Sequence, residues 1–281
     1  MIKLNGEVLK QERFPDNTLR CKIPLTTIKF SIDNTTTTTL CKSGIITWYY
    51  EDDSELFALI CLRKAILRAD LILPYIPNSR MDRVKADDEI FTLKSFCEII
   101  NDLKFDRVLV LDPHSPVSVA LLDRVTVMNV EDFHYKAINS IGDENLVLFY
   151  PDEGAMKRYS DSGPFKSYPS TFGIKNRDWK TGTITNYLLA NPEVVKGKNV
   201  LILDDICSYG GTFAHAAKAL KEARANDIYL YVSHAENNMT VGKMYNEDEV
   251  KHIFTTNSIF KKENDVRNKV TVFENPEGVE Y

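Results

Sequence analysis

The sequence has few of the features that assign a protein to a class at once. Its five cysteines include no C-x-x-C pair, which indicates reduced thiols in a cytoplasmic protein. No stretch approaches the ~18 apolar residues of a membrane-spanning helix. The N-terminal MIKLNGEVLK also has no apolar run of the secretory-signal kind. The net charge of −5 argues against a protein whose main role is to bind nucleic acid.

Two common nucleotide-binding motifs are also absent. The sequence contains neither a G-x-x-x-x-G-K-[ST] loop nor a G-x-G-x-x-G fingerprint, so neither a P-loop protein nor the usual dinucleotide-binding protein is indicated. What remains is an ordinary globular composition, 43% hydrophobic and 27% charged, in 281 residues. Because domains typically have about 100–200 residues, this length favours two domains.

Short apolar runs alternate with segments in which apolar residues have helical spacing. The spacing predicts helices over 54–69, over 88–103, from about 153, and over 211–223. Ser54 is the predicted N-cap of the first helix. The apolar runs predict strands over 71–75, 106–112, 145–150, 199–205 and 228–234. Such alternation is typical of an α/β fold with largely parallel sheets, whose strands are covered on both faces.

The alternation occurs twice along the chain, which predicts two domains, 1–140 and 141–281. The boundary is placed where AINSIGDEN, at 137–145, interrupts the periodicity with Gly, Asn and Asp. Residues 1–50 favour strands, and the β-branched run NTTTTTL at 34–40 predicts a hairpin or an edge strand.

The stretch VLILDDICSYGGT, at 200–212, carries the clearest chemical signal. It predicts a buried strand that ends at Asp204 and Asp205, and ligands bind at the carboxyl ends of strands in open α/β sheets. Gly210 and Gly211 allow a sharp turn before a helix whose N–H groups can bind an anion, and Thr212 adds a hydroxyl. The pattern predicts a site for a phosphorylated sugar, although a helix start preceded by solvated acids is also compatible with it.

The same stretch resembles the phosphoribosyl diphosphate loop of type I phosphoribosyltransferases, an apolar strand followed by D-D-x-x-D-T-G-G-T. Other stretches are similar, in the same order, to motifs of one branch, the ribose-phosphate diphosphokinases (phosphoribosyl pyrophosphate synthetases). They are RFPDNT (13–18), LILPYIPNSRMDR (71–83), RVLVLDPHS (107–115), YPDEGAMKR (150–158), GIKNR (173–177), VKGKNVLILDD (195–205) and IFTTNSI (253–259). The resemblance implies two tandem phosphoribosyltransferase-type, Rossmann-like domains, with the ATP side in the first domain and the sugar loop in the second.

The resemblance also implies a reaction, the transfer of the β,γ-diphosphate of ATP to the anomeric hydroxyl of ribose 5-phosphate with release of AMP. Lys175 and Arg177 match the catalytic pair of a flexible loop, and cations there would stabilise the transferred phosphates. Asp112, His114 and Asp152 all follow predicted strands and match positions near Mg²⁺, a metal that prefers oxygen ligands. His114 is implied at the ATP phosphates as well and is counted with the catalytic residues.

The resemblance assigns further residues to substrates. The implied ATP-binding residues are Phe14, Asp16, Arg80, Asp82 and His114. The implied acceptor-binding residues are Asp204, Asp205, Ser208, Tyr209, Gly210, Gly211 and Thr212. Because Phe14 and Asp16 match a loop that reaches a neighbouring subunit's ATP site, a homo-oligomer, dimer or hexamer, is implied. Neither a nucleic acid nor a membrane is an expected partner.

The sequence departs from the family pattern at informative places. Met81 and Thr18 replace a glutamine and a glutamate, so nucleotide recognition is expected to differ. Residues 208–209 read Ser-Tyr where the family has Asp-Thr, which removes a carboxylate and adds a large ring beside the phosphate loop. A 5-phosphate that carries a further group, as in ADP-ribose, is therefore an alternative acceptor to ribose 5-phosphate, and Tyr209 is expected either to face that group or to enter the core.

Two other functions remain open at this point. A true phosphoribosyltransferase would use phosphoribosyl diphosphate and a base, and the sugar loop alone does not separate it from a kinase. A non-catalytic regulatory relative is the second alternative, although the presence of Lys175, Arg177 and His114 argues against it. The stretches SRMDR, DPHS and IKNR favour the diphosphokinase.

Overall fold

The computed structural model describes residues 1–24, 41–177 and 184–275. Its internal contacts divide the chain into unit 1, with Met1–Met128 and Asn275, and unit 2, with Asn129–Glu274. The division therefore falls before the helix Glu131–Ile141 (α4), whereas the sequence places it at residue 140, near the end of that helix. The AINSIGDEN interruption corresponds to the end of α4, where Gly142 has a φ of 66°. The NTTTTTL run lies outside the described residues.

Unit 1 is built around a six-stranded sheet with helices in its connections. Its strands are β1 Ile2–Leu4, β2 Glu7–Val8, β3 Lys10–Arg13, β4 Leu19–Lys22, β5 Cys41–Trp48, β6 Ile66–Leu73, β7 Val108–Leu111 and β8 Val125–Met128. Its helices are α1 Glu55–Ala65, α2 Thr92–Asp102 and α3 Pro116–Leu121. The sheet order is β2-β1-β5-β6-β7-β8, and β5 to β8 are parallel. Strands β3 and β4 form a separate antiparallel hairpin.

The prediction of a helix over 54–69 is wrong for its last four residues. Helix α1 ends at Ala65 and β6 begins at Ile66, because Ile66 and Arg68 pair with Cys41 and Ser43 of the neighbouring strand. Ser54 also does not cap α1 through its side chain. Its backbone N–H donates instead to Asp52 Oδ1 at 2.8 Å.

Unit 2 has a seven-stranded sheet. Its strands are β9 Val147–Tyr150, β10 Ser170–Arg177, β11 Ile184–Leu189, β12 Val200–Cys207, β13 Ile228–Ala235, β14 His252–Thr256 and β15 Val270–Phe273. Besides α4, its helices are α5 Glu153–Tyr159, α6 Gly211–Glu222 and α7 Lys243–Asn246, with 3-10 turns over Gly163–Phe165, Pro192–Val195, Asn237–Val241 and Lys262–Asn264. The order is β11-β10-β9-β12-β13-β14-β15, and only β10 and β11 pair in the antiparallel sense.

Each unit has its own apolar core, as the uninterrupted apolar strands predict. The predicted α/β class with two largely parallel sheets is confirmed. Among the described side chains, Cys21, Cys61, Cys97 and Cys207 are free thiols. None of the described helices is long and apolar enough to cross a bilayer.

Candidate functional site

Strand β12 continues past the two aspartates. It runs to Cys207, because Ile206 and Cys207 still pair with His234 and Ala235 of β13, so the predicted strand end near Asp204 is wrong. Asp204 and Asp205 therefore lie within the strand and not after it, and their carboxylates interact with each other.

Asp205 is buried against helix α5. Its Oδ1 lies 3.1 Å from Arg158 Nη1, and its side chain is only 5% exposed. Its backbone N–H donates to Asp204 Oδ1 at 3.0 Å. Burial, with the neighbouring charges of Asp205 and Asp152, raises the pKa of Asp204. Arg158 therefore neutralises one carboxylate, while Asp204 lies beside two others.

The segment 207–212, here called the acceptor loop, connects β12 to α6. Gly210 has a φ of 75°, a left-handed conformation that glycine adopts without strain, and it is the N-cap of α6. Gly210 has no side chain to cap this helix start, and the N–H groups of a first helical turn have no acceptor within the helix. A Cβ added at Gly211 would meet no atom within 4 Å. The loop thus has open space beside N–H groups that suit a phosphate.

Asp152 follows β9, the neighbour of β12, and joins two elements. Its Oδ1 accepts the Ala155 N–H at 2.9 Å as the N-cap of α5, and its Oδ2 accepts a hydrogen bond from Lys175 Nζ. Burial opposes ionisation of Asp152, but the bonds from Lys175 and Ala155 outweigh it and lower its pKa. The structure therefore places Lys175 and Asp152, predicted separately, in one ion pair.

Two residues that the sequence analysis did not single out fix the geometry around Asp152. Tyr187 donates its hydroxyl to the Pro151 carbonyl at 3.0 Å. A Cβ at Gly173 would lie 2.2 Å from Tyr187 Oη and 2.9 Å from the Pro151 carbonyl, so the close packing of β10 on this turn requires glycine. Burial, then the charges of Asp152 and Asp204, raise the pKa of Tyr187. Both carboxylates thus raise the pKa of the same tyrosine, because β9 and β12 are adjacent strands.

The remaining predicted residue of unit 2 is Arg177. It is the last residue of β10, two positions after Lys175, and its side chain lies outside the part of the chain that the structure describes. Its role stays a prediction. Ser208 and Thr212 are half-buried in the acceptor loop, and Tyr209 is 61% exposed, so the alternative in which Tyr209 enters the core is wrong.

In unit 1, the predicted residues lie on three different segments. Asp112 follows β7 with a φ of 37° and is 6% exposed, and His114 is half-buried just before α3. Helix α3 is capped by Ser115, whose hydroxyl accepts the Val117 N–H at 3.1 Å. No group of three or more metal-ligating side chains occurs among the described residues. The metal assignments to Asp112, His114 and Asp152 are therefore predictions.

The predicted nucleotide-binding residues lie near the surface of unit 1. Arg80 is exposed after β6, and Asp82 is half-buried, 3.9 Å from Arg83. Phe14 and Asp16 lie in the turn between β3 and β4, and Phe14 is 49% exposed. Asp16 accepts from the Thr18 N–H at 3.0 Å and from its hydroxyl at 2.7 Å. The threonine that replaces the family's glutamate therefore orders the turn.

Comparisons with known proteins agree with this geometry. The family model of the phosphoribosyl transferase domain matches residues 171–267, which include Lys175, Asp204 and the acceptor loop. A ribose-phosphate pyrophosphokinase of Saccharolobus solfataricus is 27% identical over 77% of this chain and 76% of its own. The chain is similar to the ribose-phosphate pyrophosphokinases. The predicted resemblance is thus confirmed.

Two other relatives are similar to this chain but are longer than it. Ribose-phosphate pyrophosphokinase 1 of Listeria monocytogenes is 27% identical, with 74% of this chain and 66% of its own length matched. A Streptococcus agalactiae relative is 28% identical, with 74% and 65% matched. The chain thus spans just under two thirds of the length of these bacterial relatives.

A solved structure extends the similarity to the fold of nearly the whole chain. Phosphoribosylpyrophosphate synthetase from Mycobacterium smegmatis superposes with a TM-score of 0.74 at 19% identity, over 95% of this chain and 86% of the other. This match supports the α/β fold with two largely parallel sheets, and the family model matches a phosphoribosyl transferase domain over residues 171–267.

Proposed function

We propose that the protein transfers the β,γ-diphosphate of ATP to the anomeric hydroxyl of ribose 5-phosphate, or of a 5-substituted relative such as ADP-ribose, and releases AMP. One observation carries the proposal. Lys175, Asp152 and Asp204 lie on the neighbouring strands β10, β9 and β12 or directly after them, on the side of the sheet where the acceptor loop begins. The pyrophosphokinase relatives support the same reaction.

In this proposal, the anomeric oxygen forms a bond to the β-phosphorus, and the bond from that phosphorus to the oxygen shared with the α-phosphorus breaks. AMP is the leaving group, and the proton of the anomeric hydroxyl is released to solvent. Lys175 leaves Asp152 and stabilises the charge on the transferred phosphates, which is where an electrostatic contribution is largest. The first-turn N–H groups of α6 hold the 5-phosphate. Because Arg158 already pairs with Asp205, Asp204 is the carboxylate left to bind the ribose hydroxyls.

Carboxylates of the kind at Asp152 and at Asp112 suit a magnesium ion, which prefers oxygen ligands, keeps several waters and binds substrate phosphates. When bound, Mg²⁺ would neutralise charge on the diphosphate. Asp152 would hold it in unit 2, and in unit 1 the roles of Asp112 and His114 as ligands stay predictions. We expect activity to be lost in excess EDTA, and Asp152→Asn to raise the Mg²⁺ concentration required. Full activity in EDTA would contradict this part.

The proposal also concerns which sugar, ribose 5-phosphate or ADP-ribose, accepts the diphosphate. Ser208 and Tyr209 leave the acceptor loop without the charge that the family's aspartate would bring, and Tyr209 presents its ring to solvent. An acceptor with a second phosphate and a base beyond it is compatible with both changes. If ADP-ribose is preferred, the double change Ser208→Asp with Tyr209→Thr should shift the ratio of kcat/KM values back toward ribose 5-phosphate.

We also propose a homo-oligomer in the cytoplasm, with the exposed turn at Phe14 and Asp16 completing a neighbouring ATP site. A complementation assay tests the shared site. Phe14→Ala with Asp16→Asn and Lys175→Ala with Arg177→Ala are each expected to be inactive. When both variants are unfolded together and refolded, a shared site predicts partial recovery of activity, and no recovery contradicts it.

The decisive assay incubates the protein with ATP, Mg²⁺ and either acceptor and quantifies AMP. AMP that forms only with an acceptor present supports the transfer. Formation of ADP, or consumption of phosphoribosyl diphosphate and a base instead, would assign a different reaction, the latter that of a phosphoribosyltransferase. A protein that forms none of these products would match the non-catalytic alternative.

A further inference from the structure

The acceptor loop is held from behind by residues 236–244, here called the support loop. The Glu236 N–H donates to the Cys207 carbonyl at 2.8 Å. Asn238 Nδ2 donates to Ser208 Oγ at 3.4 Å. These contacts link the support loop to the acceptor loop at two successive residues. The position of the acceptor loop therefore depends on a segment that lies well after it in the sequence.

Glycines allow the closest approach of the two loops. A Cβ on Gly242 would lie 1.9 Å from the Tyr209 carbonyl oxygen, a distance that no Cβ tolerates. A Cβ on Gly210 would lie 3.0 Å from Met244. The backbone at Gly242 therefore lies directly against that of Tyr209, and Val241 is the residue before Gly242 in the chain.

The apolar side chains of the two loops fall into two groups. Cys207, Met239 and Met244 are at most 2% exposed and anchor the loops in the core of unit 2. Tyr209 and Val241 are 61% and 71% exposed. Tyr209 and Val241 thus expose apolar side chains on two segments that touch, close to the open start of α6.

We propose that Tyr209 and Val241 form a subsite for the nucleoside of a nucleoside diphosphate sugar, bound through its diphosphate at the acceptor loop. This inference rests on the proposed function and specifies its acceptor. The ring of Tyr209 provides a stacking surface for a base, and Val241 provides an apolar contact next to it. Neither side chain carries a charge that would repel the second phosphate. Asn238 positions the acceptor loop through its hydrogen bond to Ser208.

The test compares kcat/KM for ADP-ribose and ribose 5-phosphate in four variants. Stacking of one base on an aromatic side chain corresponds to roughly 5- to 150-fold in affinity. Tyr209→Ala should therefore lower the ratio of ADP-ribose to ribose 5-phosphate by at least about fivefold. Tyr209→Phe should keep the ratio, since the ring remains. Val241→Ser should lower the ratio by up to about tenfold, because the apolar contact proposed between Val241 and the bound nucleoside is lost.

Val266→Ser is the matched control. Val266 is an exposed valine of unit 2 and lies before the start of strand β15. The acceptor loop, in contrast, lies after the end of strand β12. This variant should keep the wild-type ratio. A Tyr209→Ala protein that has lost the same factor with both acceptors would overturn the subsite. So would an unchanged acceptor ratio with a smaller oligomer in sedimentation, which would assign the surface to a second subunit.

Direct binding separates this inference from the proposed function. If no AMP forms with any acceptor, the proposed reaction fails, and calorimetry with ADP-ribose and ribose 5-phosphate still tests the subsite. Tighter binding of ADP-ribose by the wild-type protein, weakened at least fivefold by Tyr209→Ala and kept by Val266→Ser, supports it. Equal binding of the two ligands by the wild-type protein overturns it.

Discussion

Two helix starts, that of α3 in unit 1 and that of α6 in unit 2, differ in a way that points to the anion site. In unit 1, α3 follows strand β7 and is capped by the Ser115 hydroxyl. In unit 2, α5 is capped by Asp152, but α6 begins at Gly210 without a side-chain cap and with open space at Gly211. The starts of α3 and α5 are thus closed by a protein side chain, whereas the N-cap residues of α1, α2 and α6 form no such bond. Of these three, α6 begins on a left-handed glycine with open space at the next residue. An uncapped start suits a ligand that provides the acceptor atoms itself.

The largest effect is expected at Lys175 and Arg177, the predicted catalytic cations of β10. Changing Lys175 and Arg177 together to Ala should lower kcat by roughly a thousandfold, as removal of transition-state charge stabilisation does in phosphoryl transfer, with little change in ATP affinity. The measurement is steady-state AMP release together with ATP binding by calorimetry. Lys251→Ala, which removes an exposed pair with Asp227, is the control and should remain near normal. Near-normal turnover of the double variant would remove the pair from the mechanism.

Acid should affect unit 2 through a buried histidine. His134 is 1% exposed, its ring stacks on Phe165 with centroids 4.5 Å apart, and its Nε2 has no hydrogen-bond partner among the described residues. Burial lowers its pKa to about 4, although the charge of Glu131 opposes the shift. The unfolded chain therefore binds a proton below pH 6.5 that the folded protein does not, and stability falls as the pH drops from 6.5 toward 4.

That shift predicts a loss of about 2 kcal/mol in unfolding free energy between pH 7 and pH 5. Urea unfolding at the two pH values measures it. His134→Phe should remove most of the difference, and His215→Gln, on the exposed face of α6, should keep it. An equal loss in the His134→Phe protein would mean that other groups cause the acid sensitivity.

A substitution at the open start of α6 should weaken ligand binding and leave the stability of the protein nearly unchanged. An alanine Cβ at Gly211 meets no protein atom, so Gly211→Ala should leave the thermal midpoint unchanged or slightly raised. The same methyl group would occupy the space proposed for the acceptor phosphate, and the acceptor KM should rise by about tenfold or more, or about 1.4 kcal/mol. Unfolding scans and acceptor kinetics give the two values. A normal acceptor KM would show that the phosphate lies elsewhere.

The capped helix start should give the opposite result and the smallest effect. Ser115→Ala removes the bond to the Val117 N–H and should destabilise unit 1 by about 1 kcal/mol. Acceptor KM should stay normal, because Ser115 belongs to none of the residues assigned to the acceptor. Urea unfolding and the same kinetic assay apply. A raised acceptor KM with unchanged stability would reverse the assignment of the two helix starts.

Much of this site could be predicted from the sequence, because its signals are local. The apolar run 200–203, the paired aspartates and the two glycines lie within a few residues, so strand, turn and helix start followed directly. The length of β12 did not, because its last two residues are in the strand only through their pairing with β13. Likewise, residues 66–69 continued a helical pattern but belong to β6, because that strand pairs with β5.

The contacts that shape the site were not predictable in this way. Arg158 pairs with Asp205 across separate elements, and Gly173 is needed because Tyr187 from the next strand packs against it. Lys175 and Asp152 were each assigned by resemblance, but nothing local indicates that they form a pair. Such contacts depend on the strand order β10-β9-β12, which a sequence pattern does not specify.

The central claim is that an intact diphosphate moves from ATP to the anomeric carbon of a sugar held at the acceptor loop. Phosphorus NMR of a reaction with ATP, Mg²⁺ and ADP-ribose or ribose 5-phosphate follows this transfer directly. We predict that the β- and γ-phosphorus signals of ATP reappear together as a new diphosphate on the sugar, with an equal amount of AMP, and that Lys175→Ala with Arg177→Ala abolishes both signals. Release of ADP and a singly transferred phosphate, or an unchanged ATP spectrum with either sugar, would contradict the account.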